Sequence, residues 1–428
     1  MKKSLLAVAA LGAFASAAQA QSSVTVYGIL DVGYVGGSTR VSDSAKGNTA
    51  GYNSGNLKQT VNQFGQSAEQ TSRLGFKGTE DLGGGTSAFF TVEFALTPQD
   101  QNLSGNTQGG INNRQAFVGL KKNGIGQTAI GLQYTPVFNA AAATDVGQLN
   151  NMLGNVVYAS STGVASGSAY SNNTAFTNRT ANTLSVKSDN FSGFTASAMY
   201  TLNNKNATET VISATTAGGN TNASGWGLGA DFTYSKFYAA AAYQALKQLT
   251  SSDGVTATTS NTTPWTNQQA NGATSAPYAG FNIAAGGTAS AAVTGTGQNV
   301  QDNQFYAGAT YDFGILKAYA QYVNRKATST MNTGYYLKRQ AEQIGVRSYI
   351  TPTVEAWASA GLGRYTSFGV GSPTANFNGW QLGSNYWLSK RTNLYAIYGQ
   401  TLVSTAAAAT TTTSAGASNY AIGVRHTF

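Results

Sequence analysis

The sequence predicts an all-β fold, a transmembrane antiparallel β-barrel of 16 strands with tight turns at one rim and long loops at the other. Three observations predict it. From residue 23 onward, apolar and small or polar residues alternate with period two. Short turns and long soft connections also alternate along the whole chain. Charged residues are only 10%, against about 25% in ordinary soluble domains. Gly at 51 and Tyr at 23, with only 6 Pro, suit a wall that has lipid outside and water inside.

The first 20 residues stand apart. Met1-Lys2-Lys3 opens a small, apolar stretch that closes on Ala18-Gln19-Ala20. A positive start, a short hydrophobic centre and an A-x-A ending are the parts of a secretory signal peptide. The expected division is a signal at 1–20 and one barrel domain at 21–428. No later apolar run reaches the ~18 to 20 residues that a membrane helix needs, which says nothing against a barrel.

The last strand shows the alternation plainly. Tyr420, Ile422, Val424, His426 and Phe428 share one face, and Ala421, Gly423, Arg425 and Thr427 the other. In the first strand, 23–34, Val24, Val26, Leu30, Val32 and Tyr34 oppose Thr25, Tyr27, Asp31 and Gly33. These two strands are positioned to pair and close the barrel. Between them lie seven tight connections, near 80–85, 121–126, 188–193, 235–236, 312–314, 349–353 and 388–392. Their Asp-Leu-Gly, Asn-Gly and Thr-Pro content is turn chemistry. The long connections fall at 36–68, 97–112, 135–177, 203–223, 247–302, 327–338, 366–377 and 402–418. Eight long loops interleaved with seven short turns need 16 strands, enough to leave an aqueous channel.

Other function classes fit poorly. With no Cys, stability must come from something other than disulfides, and a closed barrel supplies it. A single histidine, His426, leaves little room for a Ser-His-Asp site or a histidine metal site. No carboxylate pair is spaced as a catalytic dyad, so no enzyme, cofactor or metal is expected. The +9 net charge is dispersed rather than gathered in a run, which argues against nucleic acid. Dispersed positive charge inside a channel favours anions.

At four places the chain resembles the general porins of betaproteobacteria. These are Ser23-Val-Thr-Val-Tyr-Gly-Ile-Leu-Asp-Val-Gly33, Ser72-Arg-Leu-Gly-Phe-Lys-Gly-Thr-Glu-Asp-Leu-Gly83, Asn113-Arg-Gln-Ala-Phe-Val-Gly-Leu120 and Gly423-Val-Arg-His-Thr-Phe428. The resemblance covers the mature chain from end to end. It implies a homotrimer in the bacterial outer membrane that passes ions and small hydrophilic solutes. It further implies contact with outer-membrane lipids and lipopolysaccharide, and insertion by the barrel assembly machinery, which reads the terminal Phe428. By the same resemblance, 135–177 is a loop folded into the lumen, and Arg73, Arg114 and Arg179 line a positive constriction. Where the family carries Gly-Arg-Gln, this chain has Gly131-Leu132-Gln133.

The residues themselves give partial support. Arg73 shares its face with Gly75 and Lys77, opposite Leu74 and Phe76, and an arginine on a barrel strand avoids lipid. Arg179 lies with Thr183, Ser185 and Lys187. Alternation alone would set Arg114 with Ala116, Val118 and Leu120 toward lipid, whereas the resemblance sets it inward. Asp145, the one acid in 135–177, is expected to oppose the arginines across the lumen, and Glu93 to neutralise them in part. The main alternative is a channel specific for a sugar, phosphate or carboxylate, which needs aromatic or arginine rows along the lumen. An outer-membrane enzyme and a secreted adhesin are weaker readings.

Overall fold

The computed structural model describes residues 23–43, 56–103, 111–158, 170–207, 219–252, 300–329, 336–367, 374–404 and 413–428. The expected signal at 1–20 lies outside them. In chain order the first strands are β1 Ser23–Asp43, β2 Asn56–Gln66, β3 Arg73–Gly83, β4 Thr86–Ala95, β5 Asn113–Lys122 and β6 Gly126–Tyr134. A helix, α1 Pro136–Thr144, precedes β7 Tyr170–Asn172, β8 Thr177–Ser188 and β9 Phe194–Ala207. Then follow β10 Gly219–Tyr234, β11 Phe237–Ser252, β12 Val300–Asp312, β13 Lys317–Ser329 and β14 Tyr336–Tyr349. β15 Val354–Ser367, β16 Thr374–Trp387, β17 Thr392–Val403 and β18 Thr413–Thr427 complete the wall.

All neighbours are antiparallel, and β18 returns to β1 with the register Ile29↔Thr427 through Asp43↔Thr413. The sheet therefore closes and leaves no edge. β1 pairs with β2 in its upper half and with β3 in its lower half, so β2 and β3 are one wall strand broken at 67–72. β7 pairs only with β8, inside a loop. The 18 segments thus form a 16-stranded barrel. All seven expected tight turns join strands here. Several of the long connections are shorter than expected, but those at 97–112 and 135–177 are not. β1 continues to Asp43, because Gly36, Gly37, Ser38 and Thr39 above the lipid band still pair through their backbones. Such rim residues need no apolar alternation, so the sequence pattern does not mark them.

Side-chain alternation sorts the wall. Along β16 and β17 every second residue is buried. Leu382 and Leu394 are 52% and 44% exposed, whereas Gln381 and Asn393 are 0%. Apolar side chains face out and amides face in, the inverse of a soluble sandwich. Outward Phe194, Tyr234, Tyr311, Tyr349, Tyr386 and Phe428 ring the short-turn side, and Tyr34, Trp226, Phe305, Tyr398 and Tyr420 the other. These are the two aromatic girdles expected at membrane interfaces.

The interior is filled on one side by residues 135–158 and 170–177. Thr135 caps α1, its hydroxyl accepting from the Phe138 N–H, and Pro136 starts the helix where no N–H is needed. Val137, Ala140 and Ala141 then bury against Ala240, Ala242, Tyr306 and Phe176, so the helix lies on the inner wall of β11 and β12.

Candidate constriction site

Arg73 begins β3 on the inner face, its Nε donating to the Thr71 carbonyl at 2.8 Å. On the next strand Glu93 faces the same way and is 3% exposed. Arg114 donates from Nε to Glu93 Oε1 at 2.8 Å and from Nη2 to the Tyr134 hydroxyl at 2.7 Å. Its inward course has a local cause. Gln115 pairs with Glu93, but Asn113 pairs with Phe94, so Arg114 is the extra residue of a β-bulge. A bulge re-aims a side chain that strict alternation would send the other way. Ala116, Val118 and Leu120 keep the alternation and face lipid, with Val118 and Leu120 exposed.

Arg179 pairs in register with Tyr134, and its guanidinium lies 5.8 Å from that ring's centre. Its Nη1 donates to the Arg114 carbonyl at 3.3 Å. This stretch also slips. Gly131 pairs with Thr183 but Gln133 with Thr180, around Asn182 at φ 52°. Tyr134 is the last residue of β6 before the chain turns into α1, and its ring stacks on Phe138 at 4.0 Å. Tyr158 of the loop completes the group. Arg73 is within electrostatic range of Arg114, Tyr134, Glu93 and Tyr158, and Arg179 of the same four. Burial pushes the Tyr158 phenol above its ordinary range, so it stays protonated and neutral beside the cations. Tyr27 also donates to Glu93, at 3.1 Å. Three arginines thus converge on one carboxylate and three tyrosines. Leu132, at the position of the family arginine, pairs with Ala116 in the same strand region.

Lys77 lies lower on the same face, exposed, its Nζ 5.4 Å from the Tyr27 ring centre. Asp145 is placed differently from the expectation. It is 3% exposed and accepts from the Leu149 N–H and Asn155 Nδ2, both at 2.8 Å, and from Gln343 Nε2 at 3.5 Å. The turn after α1 needs these acceptors, so the carboxylate serves loop and wall rather than the lumen surface. Phe428 closes the seam, exchanging backbone hydrogen bonds with Gly28 at 3.1 Å in each direction. Its ring occupies the space a Cβ on Gly28 would need.

Sequence reasoning missed the far wall. Arg325 forks onto Asp302, at 2.6 Å for its shortest contact, and donates to the Asn173 carbonyl at 2.8 Å. Arg347 pairs with Glu355 at 2.8 Å and donates to the Val146 carbonyl. Arg339 donates to the Val156 carbonyl and the Tyr365 hydroxyl and lies 4.6 Å from the centre of the Phe377 ring. Arg425 meets Glu69 at 3.5 Å and Asn393 at 3.0 Å. Gln381 donates to the Met152 and Leu153 carbonyls, and Asn151 donates to the Ser67 carbonyl. The 67–72 break that receives Asn151 is itself held by Asp31, which accepts the Glu69 and Gln70 N–H groups and the Tyr395 hydroxyl. The loop is therefore pinned from β12 round to β3. Gly379 and Gly399 let it lie flat, since a Cβ on either would overlap the backbone of Gly154 or Leu153.

A profile of the Gram-negative porin family matches residues 7–406. An outer membrane porin protein of Bordetella pertussis is 39% identical over 135 residues, which are 31% of this chain and 34% of the relative. Outer membrane porin protein 32 of Delftia acidovorans is 34% identical over 207 residues, 48% of this chain and 51% of the relative. The chain thus spans from about a third to half the length of these curated relatives. Among solved structures, an anion-selective porin from Comamonas acidovorans superposes with TM-score 0.60 at 21% identity, covering 95% of this chain and 100% of that one. OmpT, an outer membrane protein of Vibrio cholerae, gives 0.54 at 13% identity, covering 95% and 98%. These two likenesses concern the fold. The matched relatives are porins, channel proteins rather than enzymes. With a closed barrel, two aromatic girdles and a profile match across nearly its whole length, the chain belongs to the Gram-negative porin family of the bacterial outer membrane.

Proposed function

We propose that the protein is a water-filled channel for passive diffusion of ions and small hydrophilic solutes, with a preference for anions. The observation that carries this is the convergence of Arg73, Arg114 and Arg179 on the single carboxylate of Glu93. Preorganised cations on a channel wall attract anions and repel cations without a reaction or a tight complex. Lys77 extends the positive surface toward the short-turn rim. Asp145 acts through the loop, by fixing the turn after α1. The similarity to a porin titled anion-selective agrees with this sign. We also propose cleavage after Ala20, a single barrel domain over 21–428, a homotrimer, and Phe428 as the assembly signal.

The test is the reversal potential of the purified protein in a planar bilayer under a salt gradient. An anion preference that falls in Arg73→Gln and Arg179→Gln supports the reading. A cation preference with large conductance would keep the channel and remove the arginine constriction. A second reading, a channel for organic anions, is favoured by the half-buried Tyr134, Phe138 and Tyr158 beside the arginines. Conductance that saturates with benzoate but not with chloride would select it.

A further inference from the structure

Below the arginines, on the inner wall toward the short-turn rim, a cavity of about 340 Å³ opens between β1, β3, β4, β5 and β6. Lys77, Thr79, Ser87, Phe89, Lys121 and Gln127 are among the residues that line it. Phe89 is the unusual one. It shares the inward face of β4 with Thr91 and Glu93 and is half-buried. Other inward rings, such as Tyr306 and Phe377, are packed away in the core beneath the loop. The tip of the Phe89 ring occupies the space that a Cβ on Gly119 would need, so the ring lies across β5 rather than standing into the lumen. Phe117 meets it at a near-perpendicular angle, with centroids 6.3 Å apart. A ring laid on the wall in this way turns one face to the cavity.

Two cations flank that ring. Lys77 of β3 pairs with Thr91, two residues to one side of Phe89, and Lys121 of β5 pairs with Ser87, two residues to the other. Each is therefore a diagonal neighbour of Phe89, ~7 to 8 Å away across the ladder, and the two lie on opposite sides of it. Neither lysine makes an ion pair among the described residues. The acids on this face of β3 and β4 are engaged elsewhere. Asp81 accepts the Gly83 N–H in the turn, and Glu93 pairs with Arg114.

We propose that this cavity is a subsite for aromatic carboxylates. The solute ring stacks on Phe89, and its carboxylate meets Lys121 at the rim end or Lys77 at the constriction end. Thr79, Ser87 and Gln127 offer hydrogen bonds to polar ring substituents. The proposal rests on the channel reading. It deepens the organic-anion form of that reading by naming the solute class and by placing the ring below the arginines, not among Tyr134, Phe138 and Tyr158. The chemistry of the lining selects the class. An inorganic anion gains nothing from a phenyl face, a neutral sugar gains nothing from two ammonium groups, and an aliphatic carboxylate forgoes the ring-on-ring contact.

The test is the conductance of the purified full-length protein in planar bilayers as sodium benzoate is raised, compared with cyclohexanecarboxylate, which puts the same charge on a ring without a π face. In wild type the benzoate conductance should saturate, with a half-saturating concentration roughly fivefold below that of cyclohexanecarboxylate. Phe89→Leu should remove that difference, and Lys121→Gln should raise the benzoate value by up to about fivefold. Equal values for the two acids in wild type would overturn the aromatic class without recourse to any variant. A benzoate value unchanged in both variants would overturn the position, and a rise in Phe138→Leu instead would move the site to the rings at the constriction. Benzoate conductance that never saturates would overturn the subsite altogether. The chloride reversal potential, measured in the same bilayers, judges the anion preference separately.

Discussion

Replacing Arg73 by Gln should lower the anion-to-cation permeability ratio by an amount that depends on salt. Arg73 belongs to a group of three arginines and one carboxylate, and its own hydrogen bond goes to a neutral carbonyl. A unit charge ~6 Å from an ion in water contributes about 0.7 kcal/mol. Screening over a ~10 Å Debye length at 0.1 M salt reduces that to about 0.4 kcal/mol. This is roughly twofold for each ion and opposite in sense for anion and cation, so the ratio falls about fourfold. At ~0.01 M the Debye length is about 30 Å and the same calculation gives about sevenfold. The assay is the reversal potential across a tenfold gradient, repeated at both salt levels. Glu93→Gln removes the opposing charge and should raise the ratio by a similar factor. The reasoning fails if the Arg73 and Arg179 variants and Glu93→Gln all leave the ratio within its error. It also fails if the Arg73 effect is the same at both salt levels, since a Coulombic effect must grow as screening weakens.

Three further outcomes are expected of the loop. Arg347→Met strands the buried Glu355 carboxylate and should cost about 3 to 5 kcal/mol, lowering the temperature at which the folded band disappears in heated SDS gels; adding Glu355→Gln should recover part of the loss. Gly399→Val pushes the Leu153 carbonyl off β17, at about 1 to 3 kcal/mol, so single-channel conductance should fall as the loop moves into the lumen. Burial raises the Asp145 carboxyl above the usual carboxylate range, so the folded loop takes up a proton at a pH where the unfolded chain is still ionised. Stability should therefore fall as pH rises through that raised value, and a melting series in Asp145→Asn should lack this slope.

The wall was legible in the sequence because lipid imposes a strict rule on every second residue. Tyr420 through Phe428 and the seven tight turns follow from alternation and turn chemistry alone. The rim of β1 was not legible, since Gly36 to Thr39 pair by backbone and carry no apolar mark. At Arg114 the alternation misleads for a different reason, although the resemblance sets it inward as found. A one-residue bulge inverts its face, and a bulge leaves no trace in composition. The loop anchors needed register as well as pattern. Asp302 falls in the connection expected at 247–302 rather than in a strand, and nothing local says that it sits two ladder steps from Arg325 on the adjacent strand. Asp145 looked like a lumen acid because the sequence showed its charge and not the N–H and amide groups of Leu149 and Asn155 that consume it.

The distribution of arginines explains why net charge is a poor guide to the field in this channel. On β13, β14 and β18 the inward arginines meet loop carbonyls or acids, and three of them are neutralised by Asp302, Glu355 and Glu69. Their charge is used to hold the loop, and little of it reaches a permeating ion. On β3, β5 and β8 one acid, Glu93, pairs with Arg114, and beside Arg73 and Arg179 the end of β6 and the loop present Tyr134, Phe138 and Tyr158, rings that fill space without cancelling charge. The same residue type is therefore structural on one wall and electrostatic on the other, according to what the loop brings to it. Arg339 is intermediate. It is 2% exposed, bonded to a carbonyl and a hydroxyl, with no carboxylate in ion-pair contact among the described residues. Such a buried cation keeps its full charge behind the loop, where salt screens it poorly. It adds positive charge to the wall opposite the arginine cluster, without a carboxylate partner among the described residues.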